Sequence, residues 1–145
     1  MNGGYTFAAS DMQADRWREE TGSDFAGIAK LDEEGKLRWA GLSGITSTRT
    51  AQLTFKGARG DGFIATAIRS GRPAAYNGRA AAGSAIRARS EPLLLAESLL
   101  AAIALPYLDR TGQLTGLLIV GRRSAVPYSE SDIANALASF CQNGL

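Results

Sequence analysis

The sequence predicts an α+β domain in which helices flank a mostly antiparallel sheet. Two pairs of apolar segments, each pair separated by a short polar turn, predict two hairpins. Segments with helical features stand before, between and after these hairpins. Because 145 residues is the length of one ordinary domain, we expect a single domain over residues 1–145.

The first predicted element is a helix that ends at about Glu20. Ser10 or Asp11 can supply its N-cap, because a short polar side chain accepts a hydrogen bond from the first turn. Met12 and Trp17 are the predicted apolar anchors of the helix, and Gly22 provides the break after it.

A hairpin and a weaker strand come next. Residues 24–31 and 37–42 have the apolar character of strands, and the sequence DEEG at 32–35 between them is typical of a turn. Residues 52–55 predict a weak third strand. The glycine-rich sequence GARGDG at 57–62 predicts a turn before the next helix.

The middle of the chain predicts a helix and an irregular loop. Ile64, Ala67 and Ile68 recur at helical spacing until the sequence SGRP at 70–73 stops the element. Residues 78–90 are rich in Ala, Gly and Arg without a clear period, which predicts an irregular connection. We expect this connection to be the element that responds to a bound ligand.

The last third of the chain predicts a second hairpin and a final helix. Residues 98–108 and 115–121 are the most apolar stretches, and the sequence DRTGQ between them is typical of a tight turn. Ser129 and Asp132 have the spacing of a capping box. The helix after them carries one apolar stripe, formed by Ile133, Leu137 and Phe140.

Composition excludes the common catalytic and metal-binding sets. The chain has no histidine, and its single cysteine is Cys141. Histidine-dependent triads, most zinc sites, disulfides within the chain and cysteine-ligated clusters therefore have no residues to form them. We expect no catalytic activity, no cofactor and no metal.

Charge and hydropathy limit the partners and the location. The net charge is only +2 and the arginines are spread along the chain, which does not indicate a nucleic-acid-binding surface. The longest apolar run, 99–104, is too short to cross a membrane, and residues 1–10 have no apolar signal core. We expect a cytoplasmic protein that binds neither nucleic acid nor membrane.

The start of the middle helix is a candidate anion site. A helix that begins after Gly62 presents backbone N–H groups and the positive end of its dipole, and Phe63 and Ile64 would keep the surroundings apolar. The same residues also suit an ordinary helix-entry turn with Phe63 in the core. Trp39 is likewise either a core aromatic or the cover of a ligand.

Five motifs together resemble those of the GAF domain family. They are GDG at 60–62, SGRP at 70–73, the E-S-x-x-A pattern with its proline at 97–106, GLLIVG at 116–121 and PYSESD at 127–132. The likeness covers about Phe25 to Phe140, and we expect a core of about 23–141. The resemblance implies a GAF-like α+β fold.

Within that family the chain resembles the stand-alone nitrate receptors. The segments that carry this likeness are SDFAGIA at 23–29, LRWAGLSG at 37–44, GDGFIATAIRSGRP at 60–73 and PLLLAESL at 92–99. The chain departs from the family at Glu91, where an aromatic residue is typical. The resemblance implies a nitrate sensor that regulates a sensor histidine kinase.

The resemblance also implies the residues that hold the anion. In that family nitrate lies in a small apolar pocket, bound by backbone N–H groups at the start of the helix and covered by a strand tryptophan. The matching positions in this chain are Trp39, Phe63, Ile64, Pro92 and Leu93.

The sequence leaves two other functions of this fold open and lacks the residues for a third. An amino-acid-binding or other metabolite-binding regulator would need a cation for the ligand carboxylate, and Arg59 or Arg49 could supply it. A ligand-free module would form a homodimer through the first and last helices. Free methionine sulfoxide reductases share the fold but use several cysteines, and Cys141 alone offers no nucleophile with a resolving partner.

Overall fold

The computed structural model describes residues 2–53, 55, 62–77 and 92–143, and it describes side chains between residues 11 and 140 of these ranges. Most of the predicted turn at 57–62 and the whole loop at 78–90 lie outside the described residues, as do Arg59, Glu91 and the side chain of Cys141.

The described residues form five strands, four α-helices and one 3-10 turn. In chain order they are α1 (Asn2–Glu20), β1 (Phe25–Leu31), β2 (Leu37–Ser43), the 3-10 turn (Thr50–Gln52), α2 (Phe63–Ser70), β3 (Ala74–Asn77), α3 (Pro92–Ala96), β4 (Ala101–Leu108), β5 (Leu114–Arg122) and α4 (Glu130–Asn143). The strands make one sheet in the order β2-β1-β5-β4-β3, and every neighbouring pair is antiparallel. The predicted α+β class with a mostly antiparallel sheet is confirmed.

Both predicted hairpins are present, and the aspartate at the start of each turn stabilises it with hydrogen bonds. The Asp32 carboxylate accepts N–H bonds from Glu34 and Lys36, and the Asp109 carboxylate accepts them from Thr111 and Gln113. Such local bonds mimic a backbone turn and favour aspartate at this position. Hydrogen bonds to each carboxylate hold the pKa of both aspartates below its ordinary value.

The sheet carries an apolar layer on each face, because successive strand residues point to opposite sides. The inner strands are buried along most of their length, as expected for a sheet covered on both sides. On one face α1 and α4 pack through Trp17, Ala136 and Phe140. On the other face α2 packs against β3 and β4, and the buried residues that α2 and α3 contribute there include Phe63, Ile64, Leu93 and Leu94.

Three predictions about the first half of the chain are wrong. The first helix begins at Asn2 and not at Ser10 or Asp11, and Met12, one of its predicted apolar anchors, is exposed to solvent. The Asp11 carboxylate accepts the N–H of Leu42 at 3.0 Å, so it binds the edge strand and does not cap a helix. The predicted strand at 52–55 is also absent among the described residues: Thr50–Gln52 is a 3-10 turn, closed by the N–H of Leu53 donating to the carbonyl of Thr50.

Candidate functional site

Four of the five predicted ligand residues lie together on the α2 and α3 side of the sheet. Phe63, Ile64 and Leu93 are buried members of one apolar cluster, and Trp39 packs against it half-buried. Pro92, the first residue of α3, is exposed to solvent. The structure therefore places a strand tryptophan, the start of α2 and the start of α3 on the same face of the sheet.

The start of α2 has the geometry that the sequence predicts. Gly62 is the N-cap, with extended backbone at φ −73° and ψ 168°, and its carbonyl accepts the N–H of Thr66 at 3.1 Å. Within the described residues, no side-chain hydrogen bond caps this end of the helix. The positive end of the helix dipole therefore lies beside the apolar residues Phe63 and Ile64.

Trp39 is held in place from three sides. Its indole N–H donates to the carbonyl of Thr50 at 2.9 Å. Its ring makes edge-on contacts with Phe25 and Phe55, at centroid distances of 6.2 and 4.9 Å. The indole lies directly against the backbone of Gly27 in β1, where a Cβ atom would come within 2.4 Å of the ring. The tryptophan is thus fixed by packing and by one partly buried hydrogen bond.

A buried carboxylate lies next to this layer, at the end of α3. The side chain of Glu97 is fully buried and accepts hydrogen bonds from the segment 46–50. The donors in that segment are the N–H and hydroxyl of Thr46, the N–H of Ser47 and the hydroxyl of Thr50. Arg123 completes the site with an ion pair to the same carboxylate.

The environment of Glu97 keeps it ionised. Burial alone would raise the pKa of the carboxyl group, but the hydrogen bonds from Thr50, Thr46 and Ser47 outweigh burial and hold the pKa below its ordinary value. The Arg123 guanidinium also donates to the carbonyls of Glu97 and Gly44. A buried charge needs this number of partners to be tolerated.

An open hollow lies beside Trp39, which is part of its lining. It has a volume of about 920 Å³ and runs between the β1–β2 hairpin and the end of α2. Its apolar lining includes Leu37, Trp39, Leu53, Phe55, Ile68 and Leu114. Lys36 and Arg38 add positive charge to the lining, although Arg38 already pairs with Asp32 and Glu34.

The described part of the chain contains no group of three or more metal-ligating side chains. None of its helices is long and apolar enough to span a membrane.

Comparison with known proteins gives structural matches only. No protein-family model and no curated protein matches the chain. A variant of NreA from Staphylococcus aureus, altered in its nitrate-binding site, is 26% identical, and the match covers 86% of this chain and 96% of that one with a TM-score of 0.68.

Two more distant structures share the fold. The GAF domain of a phosphoenolpyruvate-protein phosphotransferase from Coxiella burnetii is 18% identical over 92% of this chain and 77% of that one, with a TM-score of 0.70. A type II free methionine-R-sulfoxide reductase from Thermoplasma acidophilum is 17% identical over 94% and 88%, with a TM-score of 0.66.

The strand order, the helices on both faces and these matches show that the chain has the fold of the GAF domains. Among proteins of this fold it is similar to the NreA protein of S. aureus, as the motifs of the sequence predict.

Glu97 and Arg123 are not among the site residues that the sequence predicts. One signal was present, because Glu97 is the only charged residue between the apolar runs of α3 and β4. An isolated charge between two buried elements must be paired or hydrogen-bonded. Its partners could not be named from the sequence, because Thr46, Ser47 and Thr50 lie about 50 positions away.

Proposed function

We propose that this chain is a cytoplasmic sensor that binds a small anion, nitrate in the first place, and regulates a sensor histidine kinase. The observation that supports the proposal is that Trp39, Phe63, Ile64 and Leu93 belong to one apolar cluster, and that α2 begins within this cluster, at Phe63. The 26% identity to an NreA variant over 96% of its length supports the same ligand. Trp39, Phe63, Ile64, Leu93 and Pro92 are the proposed ligand-binding residues.

The physical case is one of charge and size. The positive end of α2 favours a negative charge, and the neighbouring side chains of Phe63 and Ile64 favour an anion that is weakly hydrated. The binding would be modest, because the binding free energy of a very small ligand reaches at most roughly 1.5 kcal/mol per heavy atom. For the four heavy atoms of nitrate this upper limit is about 6 kcal/mol. The expected dissociation constant is therefore tens of micromolar or weaker.

Isothermal titration with nitrate, nitrite, chloride and iodide tests the anion. We expect saturable heat with nitrate and weaker or absent heat with chloride. Trp39→Phe is expected to weaken nitrate binding, whereas Trp17→Phe, on the opposite face of the sheet, is its matched control and leaves the affinity unchanged. If none of the four anions gives heat at millimolar concentration, the anion proposal is wrong.

The proposed partner requires a separate measurement. The autophosphorylation rate of a purified sensor histidine kinase is compared with and without this chain, at saturating nitrate and in its absence. If the chain is a nitrate-dependent regulator, its effect on the autophosphorylation rate must differ between the two nitrate conditions. A ligand acts only through its differential affinity for two states of the protein. If light scattering shows the same dimer with and without nitrate, and no anion gives heat in the titration, the chain is instead a ligand-free dimerisation module.

A larger metabolite is a second candidate, and the hollow beside Trp39 favours it. A volume of about 920 Å³ far exceeds the needs of a four-atom anion and falls in the range of ordinary metabolite pockets. Arg49, suggested for a ligand carboxylate, is exposed and outside the lining, so Lys36 is the better candidate. A thermal-shift panel of amino acids, with Lys36→Ala compared against Lys30→Ala, tests this function.

A further inference from the structure

We propose that Glu97 is a positioning residue that fixes Trp39 and α3 relative to each other, and so shapes the proposed anion site. The inference rests on the proposed function for its effect on ligand affinity. Its structural part, the placement of Trp39, stands independently of any ligand.

The first step runs from Glu97 to Trp39. The carboxylate of Glu97 accepts the hydroxyl hydrogen bond of Thr50, and the carbonyl of the same Thr50 accepts the indole N–H of Trp39 at 2.9 Å. The N–H groups of Thr46 and Ser47 bind the carboxylate at 2.8 and 3.2 Å, so the start of the segment is fixed as well. A chain of two polar bonds thus joins the buried charge to the tryptophan.

The second step runs from Glu97 to α3. The N–H of Glu97 donates to the carbonyl of Leu93 at 3.0 Å, and Glu97 occupies the C-cap of this short helix. Ser98 follows in the left-handed region, and the N–H of Leu99 returns to the carbonyl of Leu94 at 3.0 Å, which completes a Schellman motif. The backbone of Glu97 is therefore continuous with the helix that presents Leu93.

Arg123, the residue after β5, holds Glu97 and the start of the 46–50 segment together. Its guanidinium donates to the carboxylate of Glu97, to the carbonyl of Glu97 and to the carbonyl of Gly44, which lies just before that segment. A neutral amide in place of the carboxylate cannot accept as many of these donors, because one of its two heavy atoms is itself a donor. The segment 46–50 and with it Trp39 would then lose their fixed position.

The test uses the two indole N–H resonances of the full chain in ¹H–¹⁵N spectra, assigned with Trp17→Phe. In Glu97→Gln we expect the Trp39 resonance to shift and its solvent exchange to accelerate at least tenfold, while the Trp17 resonance stays in place. Nitrate affinity is expected to fall about tenfold. Tyr128→Phe is the matched control, because it removes a buried hydrogen bond on the opposite face of the sheet.

Thr50→Val provides the second variant, in case Glu97→Gln does not fold. It deletes the hydroxyl that binds Glu97 but keeps the backbone carbonyl that binds Trp39. An unchanged Trp39 resonance and exchange rate in a folded variant would overturn the positioning role. Equal nitrate affinity of wild type and variant would overturn its functional part. If wild type binds no nitrate but the Trp39 resonance still responds, the positioning role stands and the proposed function fails.

Discussion

Gly27 and Trp39, on neighbouring strands, are in direct contact, and the contact leaves no room for a side chain. A Cβ atom on Gly27 would lie 2.4 Å from Cζ3 and 2.9 Å from Cη2 of the Trp39 ring. These distances are far below normal contact, so glycine at position 27 is a condition for the observed indole position. The irregular register between Ile28 and Ala29 lies next to this contact.

The first prediction follows from this contact. Gly27→Ala is expected to displace Trp39 and to lower the free energy of unfolding by about 1–3 kcal/mol, the usual cost of overpacking a core. The affinity for nitrate should also fall, because Trp39 is a proposed ligand-binding residue. Urea unfolding and isothermal titration measure the two effects. The double variant Gly27→Ala/Trp39→Phe is the control: a smaller ring should recover part of the lost stability, and a strictly additive pair would contradict the steric explanation.

The second prediction concerns Ser98. Its φ of 55° lies in the left-handed region, and it is the only non-glycine residue with positive φ among the described residues. Glycine adopts this conformation without steric cost, so Ser98→Gly is expected to raise the free energy of unfolding by roughly 0.5–1 kcal/mol. Ser131→Gly, within α4, should instead lower it. A destabilised Ser98→Gly variant would show that the serine side chain has a stabilising role of its own.

The sequence is sufficient for the parts of the fold that depend on local pattern. The two hairpins follow from apolar segments around aspartate turns, and the capping box of α4 appears as reciprocal bonds between Ser129 and Asp132. Strand β3 was missed because its residues AAYN have little intrinsic strand preference and are ordered by pairing with β4. Helix α3 was missed because PLLLA is short and apolar throughout, so it shows no helical period.

The candidate site also has one part that the sequence predicts and one part that only the structure shows. The resemblance brings Trp39, Phe63, Ile64 and Leu93 to one face, where the structure also places them. The role of Glu97 depends on Thr46 and Thr50, which reach it only through the tertiary fold. Contacts at this sequence separation leave no periodic signal in a single sequence, and so the buried charge could be noticed but not interpreted.

The third prediction is an acid-dependent loss of stability at Glu97. Because the folded-state pKa of this carboxyl group lies below its ordinary value of 4.5, its contribution is complete above pH 4.5 and is lost as the pH falls through the folded-state pKa. Urea unfolding between pH 7 and pH 3 should therefore show a smaller acid loss for Glu97→Gln than for wild type. Asp32, Asp109 and Asp132, whose pKa values are also lowered, contribute equally to both proteins. Parallel pH profiles would contradict the prediction.

The fourth prediction concerns high pH and the opposite face of the sheet. Tyr128 is buried beside α4, its hydroxyl shares a hydrogen bond of 2.6 Å with Ser23, and the Arg122 guanidinium lies 4.1 Å from its ring centre. Burial raises the pKa of Tyr128 to about 12, although the bond to Ser23 and the charge of Arg122 act in the other direction. The unfolded chain therefore loses this proton at lower pH than the folded chain.

The sign of the effect follows from that order of ionisation. Stability from the neutral phenol is complete below pH 10, the ordinary pKa of tyrosine. It falls as the pH rises towards the folded-state pKa of about 12, by up to about 3 kcal/mol. Tyr128→Phe should cost about 1 kcal/mol at pH 7 through the lost bond to Ser23, and it should be less sensitive to alkali than wild type. Urea unfolding of both proteins from pH 8 to pH 12 measures the difference. Equal alkaline losses would mean that Tyr128 ionises in the folded protein as readily as in the unfolded chain, and that the site around Ser23 is open to water.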